Sequence, residues 1–314
     1  MKVAVVIPCY KVEEHIRKVV SEIPASVDMI ITVNDKSPDG TASVLSEIEK
    51  NDSRVVVVNH EENKGVGGAM ITGFKEAVAR NADIVIKLDG DGQMDSSYIG
   101  KMVELLSTGK YDFVKGNRFF DRKMLKNMPF VRRFGNLGMS FLIKISSGYW
   151  NISDPTNGYF ATTSNILNRI DYSRISNRFF FESSLIIENY YAGARIKDLP
   201  MPAIYANEKS NLSITKTLFT FPPKLFYAML RRIWLRYFIY DFNMNSLYII
   251  FGLPLFLFGI VFGIVKWVVY ASSNVAAPTG TIMLAVIPLI LGFQMLLSAI
   301  QYDMTSKNPF EVEK

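Results

Sequence analysis

Between Ser246 and Tyr302 the only charged residue is Lys266, and no other feature restricts the fold of this chain so strongly. A helix needs roughly 20 apolar residues to cross the hydrocarbon of a bilayer. Two such segments lie here, from about Leu247 to Ala271 and from about Thr281 to Gln301. The link between them, Ser272 to Pro278, is short and uncharged, whereas Arg231, Arg232 and Arg236 stand just before the first segment. Positive residues stay on the cytoplasmic side, so two spans put both the large N-terminal part and the tail, Ser306 to Lys314, in the cytoplasm. An apolar share of 49% agrees, being high for a protein with no membrane part. The opening run Val3 to Ile7 is too short for a signal peptide. Cys9 is the single cysteine, which excludes an internal disulfide and suits a reducing compartment. The net charge of +6 points to an anionic membrane face or anionic ligands and not to nucleic acid, because the basic residues are dispersed until they cluster near the apolar segments.

The first part of the chain alternates. Val3–Ile7, Met29–Val33, Val55–Val58 and Ala82–Ile86 are short β-branched runs, separated by stretches with helical spacing such as Ile16, Val19, Val20 and Ile23. Strand and helix in turn predict a parallel, doubly wound sheet, with Tyr111–Val114 as a fifth strand. Ligands of such sheets bind outside the carboxyl ends of the strands, and here those ends carry polar loops. Asp89-Gly90-Asp91 can turn two carboxylates toward a hard cation, Mg²⁺ or Mn²⁺ bridging a diphosphate. The same composition also describes a solvated turn, so the neighbouring loops decide. Asp35 and Asp39 can accept hydrogen bonds from a base and a ribose. Gly65, Gly67 and Gly68 can admit a ligand to the backbone at a helix N-terminus, which favours phosphate. His15 and His60 match no metal-ligand spacing.

Val5-Val6-Ile7-Pro8-Cys9-Tyr10, Asn34-Asp35-Lys36-Ser37-Pro38-Asp39-Gly40-Thr41, Asn63 to Ala69 and Asp89-Gly90-Asp91-Gly92-Gln93 together resemble glycosyltransferase family 2. Gly116-Asn117-Arg118-Phe119, Asp154-Pro155-Thr156-Asn157-Gly158-Tyr159 and Phe181-Glu182 resemble its polyprenyl-phosphate branch, which includes the dolichol-phosphate mannose synthases. The resemblance runs in order through roughly the first 215 residues. It implies a GT-A fold and inverting transfer of a sugar from a nucleoside diphosphate sugar to a polyprenyl phosphate, undecaprenyl or dolichyl. It further implies that Asp89, Asp91 and Gln93 hold the metal at the catalytic centre. Pro8, Tyr10, Glu14, Asp35, Asp39, Lys64, Gly67 and Asp89 would then meet the nucleotide sugar. Arg118, Arg132, Arg133 and Lys209 are the cations for the acceptor phosphate, and Asp154 and Glu182 are candidates for orienting sugar or acceptor. The chain departs from the family pattern in places: Lys11-Val12 stand where Asn-Glu is usual, leaving Glu13 and Glu14 displaced, and Asn34 and Lys36 replace Asp and Gly of the usual Asp-Asp-Gly-Ser.

The remaining segments divide the chain into a cytoplasmic catalytic domain over 1–215, juxtamembrane interfacial helices over 216–245, a two-helix transmembrane region over 246–303 and a cytoplasmic tail over 304–314. Lys123 to Trp150 reads either as interfacial helices with basic residues near headgroups or as a helix pair covering the sheet. Phe179 to Tyr191 predicts a helix carrying Glu182, Ile196 to Ala206 a strand, and Phe219 to Phe242 an interfacial helix. A processive polysaccharide synthase would share the nucleotide site and the spans, but its Gln/Arg-x-x-Arg-Trp signature is not matched by Arg231-Arg232-Ile233-Trp234. A non-catalytic membrane scaffold that binds sugar nucleotide is the other alternative. The implied setting is the inner membrane, multi-pass, with the bilayer, sugar nucleotide and lipid phosphate as partners and, from the resemblance, a homo-oligomer.

Overall fold

A computed structural model of the chain describes residues 1–120, 130–202 and 214–311. Two compact units emerge, Met1–Met229 together with Phe310–Lys314, and Leu230–Pro309. The first is built on a seven-stranded sheet of order β3-β2-β1-β4-β6-β5-β7. Its strands are β1 (Val3–Cys9), β2 (Met29–Asn34), β3 (Val55–Asn59), β4 (Ile84–Lys87), β5 (Phe113–Asn117), β6 (Phe160–Thr163) and β7 (Ile196–Pro200). Between them run helices α1 (Ile16–Ser21), α2 (Thr41–Asn51), α3 (Gly65–Ala79), α4 (Ile99–Ser107), α5 (Phe130–Ser147), α6 (Ser164–Arg169) and α7 (Phe181–Tyr191).

β1, β2 and β4 are buried from end to end save Pro8, which is why they read as unbroken apolar runs and not as alternating ones. The sheet divides the interior in two. Ala4, Val6, Ile31, Val33 and Val85 face Met70, Phe74 and Phe181 on one side, and Val5, Ile7, Ile30 and Ile86 face Ile16, Val20, Leu45 and Met102 on the other. The two sets alternate along each strand, as the pleat requires.

The sheet is not wholly parallel, which corrects the expectation drawn from the first four strands. β6 runs antiparallel to β4 and β5, while β7 returns parallel to β5. Phe160-Ala161-Thr162-Thr163 is only four residues long and shows neither clean alternation nor a long apolar run, so nothing local announced it. α1 is also shorter than the periodic stretch Val12 to Ile23; its first apolar residues are buried in the turn before the helix. The strand order reverses at β1 and β4, leaving a crevice beyond their carboxyl ends.

A third apolar cluster covers the α7 side, where Ile143 of α5, Phe180, Ile187 of α7 and Leu225 of α8 (Ile214–Trp234) are buried together. α5 therefore packs on α7 along the face that carries Ile143, so that stretch is part of a covering layer. The tail belongs to this unit too. Phe310 lies 5.7 Å from the rings of both Tyr190 and Tyr191, and Glu311 is 4.0 Å from Arg195.

In the second unit α9 (Met244–Ser273) and α10 (Thr279–Thr305) form an antiparallel hairpin longer at both ends than the apolar segments themselves. Asn243 opens α9 with a reciprocal capping box to Ser246, and Asn274 ends it in the left-handed conformation at φ 55°. Glycines let the two backbones approach: a Cβ on Gly259 would stand 2.6 Å from the Leu289 nitrogen. The outer faces expose Leu257, Val261, Ile264, Trp267, Ile290 and Leu291. Both helices are long and apolar enough to cross a membrane.

Candidate active site

The site gathers at the crevice. β4 delivers Lys87 at its end, and Leu88 turns the chain into Asp89-Gly90-Asp91, where Gly90 is buried against Val12 and Ile7. Asp91 accepts from the backbone of Gln93 at 3.0 Å, which folds the loop back on itself; Gly92 makes this possible at φ +75°. Asp89 and Asp91 are both half-buried, in contrast to the fully buried strand beneath them.

Lys87 is the central group that the sequence reading passed over. Its side chain is wholly buried, yet its ammonium lies 2.5 Å from Asp89 Oδ1 and 3.8 Å from Glu182 Oε1. Burial alone would depress the Lys87 pKa, but the carboxylates of Asp89, Glu182 and Asp91 outweigh it and hold the pKa above the ordinary value. Glu182 arrives on the first turn of α7, from almost a hundred residues further along the chain. Gly158 closes over the pair; a Cβ there would stand 2.6 Å from Lys87 Nζ and 3.1 Å from Asp89 Oδ2.

On the other side of Phe160, in the same cross-strand row, lies a second buried lysine. Lys115 donates to the Asn157 carbonyl and lies 5.8 Å from the Phe160 ring centre. Here burial prevails and brings its pKa down to about 8, against the pull of Asp154 and Glu182 and with the push of Lys87 and Arg118. The segment Asp154 to Tyr159 wraps the end of β5: Asn157 donates to Gly116 O at 2.8 Å and Tyr159 receives Gly116 N–H at 2.9 Å.

The structure places the other sequence-predicted residues as follows. Tyr10 and Glu14 are exposed beyond β1, with Pro8 half-buried beneath them. Lys11 adopts φ 56° and its N–H donates to Ser37 at 2.7 Å, tying the loops after β1 and β2. Asp39 stands on that second loop and accepts from Ser37 Oγ at 2.5 Å and Thr41 N at 3.2 Å. Desolvation pulls its pKa up, but those hydrogen bonds prevail and leave it below the usual carboxylate range. Glu13, beside Glu14, accepts from the Gly40 backbone at 2.8 Å and so shapes the same loop. Lys64 is exposed at the start of α3.

Three residues take up contacts other than those expected of them. Asp35 was expected to meet a base and ribose, yet it is buried and accepts from His60 Nδ1, Lys64 N and Gly65 N, each at 2.8 Å. It caps α3 and ties the loop after β2 to the loop after β3. Gly67, expected at a phosphate, is buried too: its N–H and that of Gly68 donate to the Asn177 carbonyl at 2.9 and 3.1 Å. The glycines there admit the backbone of Ser176 and Asn177, which a Cβ on Gly67 would strike. The helix N-terminus is thus satisfied by protein groups. Arg118, expected at the acceptor phosphate, forms a two-pronged pair with the fully buried Asp154 at 2.8 and 3.1 Å, which also fixes Asp154. Arg132 and Arg133 lie on α5 by their backbone, but their side chains, like all of Lys209, fall outside the described residues. His60 is satisfied between Asp35 and Thr72, and Cys9 is buried, which pushes its thiol well up.

The donor set fits a hard divalent cation bound jointly with substrate. Asp89 and Asp91 supply carboxylate oxygens that are partly open, and Gln93 adds an amide oxygen in the same loop. Among the described residues no three His, Cys, Asp or Glu side chains form a ligand group. One or two carboxylates plus substrate phosphates is the usual way Mg²⁺ is held, since it keeps much of its hydration.

A seven-stranded mixed sheet of this order with partly open acidic residues at its switch point is a GT-A type fold. The model of glycosyl transferase family 2 matches residues 4–183, and the chain belongs to that family. It is similar to the UDP-N-acetylglucosamine–dolichyl-phosphate N-acetylglucosaminyltransferase of Methanococcus voltae, 32% identical over 238 residues that cover 72% of this chain and 93% of that protein. It is also similar to the undecaprenyl-phosphate mannosyltransferase of Micrococcus luteus, 28% identical over 204 residues covering 64% and 83% of the two chains. The fold is shared with S. aureus TarS residues 1–349, whose crystal structure is a complex with UDP-GlcNAc, at a TM-score of 0.50, 15% identity, and 74% and 67% coverage.

Proposed function

We propose that this glycosyltransferase moves a sugar from a nucleoside diphosphate sugar to a polyprenyl phosphate at the cytoplasmic face of a membrane. The observation that carries the reading is the half-buried carboxylate pair Asp89–Asp91 at the switch point, in a chain whose relatives are named for dolichyl and undecaprenyl phosphate acceptors.

In this reaction an oxygen of the lipid phosphate forms a bond to the anomeric carbon from one face while the bond to the diphosphate oxygen breaks on the other, so configuration inverts. Asp89, Asp91 and Gln93 would hold Mg²⁺ or Mn²⁺. When bound, the cation supplies positive charge for the departing diphosphate. Tyr10 offers an exposed ring for the base, and Pro8, Glu14, Asp39 and Lys64 border the nucleotide, with Asp35 and Gly67 fixing the loops that carry them. Glu182, one-fifth exposed and held by Lys87, faces the sugar. The nucleophile needs no general base, because a phosphate monoester with its second pKa near 6 is already largely dianionic at pH 7. It needs cations, and Arg118, Arg132, Arg133 and Lys209 are the candidates.

The membrane assignment rests on α9 and α10, with the arginines before α9 keeping their side cytoplasmic. The tail agrees with an even number of spans, since Phe310 packs on Tyr190 and Tyr191 of the catalytic unit. The catalytic region, juxtamembrane helices, spans and tail then take the limits 1–215, 216–245, 246–303 and 304–314.

The test compares a polyprenyl phosphate with the matching polyprenol under saturating sugar nucleotide, over a panel of donors and with product mass as readout. Transfer should occur to the phosphate alone, rise with pH only through the acceptor's ionisation near about 6, and stay flat above it. Comparable transfer to the alcohol would overturn the acceptor assignment.

A further inference from the structure

Lys87 is an unusual neighbour for a metal-binding carboxylate. A cation site gains affinity from negative charge, yet this one has an ammonium at 2.5 Å from one oxygen of Asp89, with the lysine side chain itself fully buried. The placement is built, not incidental. Lys87 is the last residue of β4 and fully buried, Gly158 leaves room for it where any side chain would collide, and Glu182 on α7 approaches the same ammonium to 3.8 Å. Asp89 and Glu182 remain 31% and 19% exposed, so the ammonium bridges two carboxylates whose outer faces are open toward the crevice.

We propose that Lys87 is a positioning residue that acts as a built-in counter-cation, fixing Asp89 and Glu182 and holding the site's own affinity for a divalent cation low, so that the cation binds tightly only together with the diphosphate of the donor. The inference rests on the reading of Asp89 and Asp91 as metal-binding residues. Its logic is electrostatic. Without a diphosphate, a divalent ion meets two carboxylates already partly neutralised by Lys87. With a diphosphate bound, the added negative charge restores a favourable field, and the same ammonium helps to balance it. After transfer, loss of the nucleoside diphosphate would remove that charge and leave the site's own affinity low again.

Mn²⁺ binding, followed by electron paramagnetic resonance on the full chain in detergent, tests this without any measurement of transfer. The probes are Mn²⁺ alone and Mn²⁺ with UDP or with GDP. Wild type should bind Mn²⁺ weakly alone and much more tightly with one nucleotide. Lys87→Met, which keeps the length and removes the charge, should bind Mn²⁺ alone at least about tenfold more tightly, and its gain on adding nucleotide should shrink. Lys87→Arg should stay weak, as wild type. Glu182→Gln has the opposite sign: Lys87 then faces Asp89 alone, and Mn²⁺ affinity should fall several-fold. Asp91→Asn is the control for the underlying reading and should lose Mn²⁺ with or without nucleotide. If Asp91→Asn binds Mn²⁺ as wild type does, the metal assignment itself is wrong. If Asp91→Asn loses the ion but folded Lys87→Met binds it no more tightly than wild type, the role of Lys87 is overturned. Should Lys87→Met fail to fold, Glu182→Gln carries the test, and an affinity unchanged or raised in that variant overturns the proposal.

Discussion

This chain buries basic side chains among carboxylates in two places and treats them in opposite ways. In the second unit Arg232 pairs with Asp303 through two bonds of 2.8 Å, Arg236 reaches the same carboxylate at 3.4 Å, and Tyr237 donates to it at 2.5 Å. Arg236 also donates to Ser306 Oγ and Lys307 O, and every one of these charged groups is less than a tenth exposed. In the catalytic unit Lys87 is equally buried, but its carboxylate partners are not. A planar guanidinium matched to one carboxylate closes a cluster. A point-like ammonium shared by two carboxylates leaves oxygens facing outward. The first arrangement fixes a helix junction; the second keeps charge available to a ligand.

The largest expected effect tests the open cluster. Asp91→Asn keeps the shape of the loop, including its bond to Gln93 N–H, and removes one of the two carboxylates proposed to hold the cation. Sugar transfer should fall by at least about a thousandfold, roughly 4 kcal/mol of transition-state stabilisation, with the circular dichroism spectrum unchanged. Retention of a tenth of wild-type turnover would break the contrast, because the open carboxylates would then do no chemistry.

The closed cluster predicts a loss of stability. Asp303→Asn removes the charge of the carboxylate that Arg232 and Arg236 share, and losing one member of a buried pair costs about 3–5 kcal/mol. Thermal unfolding in detergent should show the α9–α10 unit melting well below its wild-type temperature. An unchanged transition would mean that the cluster is hydrated and no more closed than the first.

Lys115 sharpens the comparison further, because it is a buried ammonium hydrogen-bonded to a carbonyl. Its folded pKa, about 8, lies below the ordinary lysine value near 10.4. Below pH 8 both folded and unfolded chains carry the proton, and this group gives no slope. Between these values the unfolded chain holds more protons, so stability rises with pH. Relative to Lys115→Met, wild type should gain on the order of 3 kcal/mol across that window, measured as the difference of the two stability profiles. Lys87, held charged by its carboxylates, should contribute no such rise.

The two clusters also mark how far the sequence could be read. The parallel strands, the strand-end loops and the apolar segments were legible because each is a local pattern: a β-branched run, a Gly-Asp turn, a charge-free stretch. Asp89, Asp91 and Gln93 sit where that pattern put them, in one loop at the strand end. What the pattern could not give was pairing across distance. The burial of Lys87 and Lys115 depends on Gly158, Asn157 and Glu182, far along the chain. Asp35 and Gly67 lie in strand-end loops, but their polar atoms turn inward, Asp35 to His60, Lys64 and Gly65, and Gly67 to the Asn177 carbonyl. β6 was missed since four residues carry too little periodicity. Arg232 and Arg236 read as positive charges before the first apolar segment, and only the fold brings Asp303 onto them.

The smallest expected effect concerns the tail, which ends in the catalytic unit after the spans. Phe310 is half-exposed, with its ring against Tyr190 and Tyr191 and its carbonyl against Gly193, where φ +71° and the lack of a Cβ permit the approach. Those tyrosines close the C-terminal end of α7, the helix whose first turn carries Glu182. Phe310→Ala removes one partly buried ring and should cost about 1 to 2 kcal/mol of catalytic-unit stability, less than a core phenylalanine because much of the ring is already wet. A helix of three turns transmits rotation at one end to the other, so the open cluster should respond weakly: KM for the sugar nucleotide should rise about two- to threefold with kcat little changed. Phe310→Tyr, which keeps the ring stack, should restore both. A variant destabilised as expected but with unchanged KM would show that the tail anchors the unit without reaching Glu182, and that the open cluster is held by Lys87 and Gly158 alone.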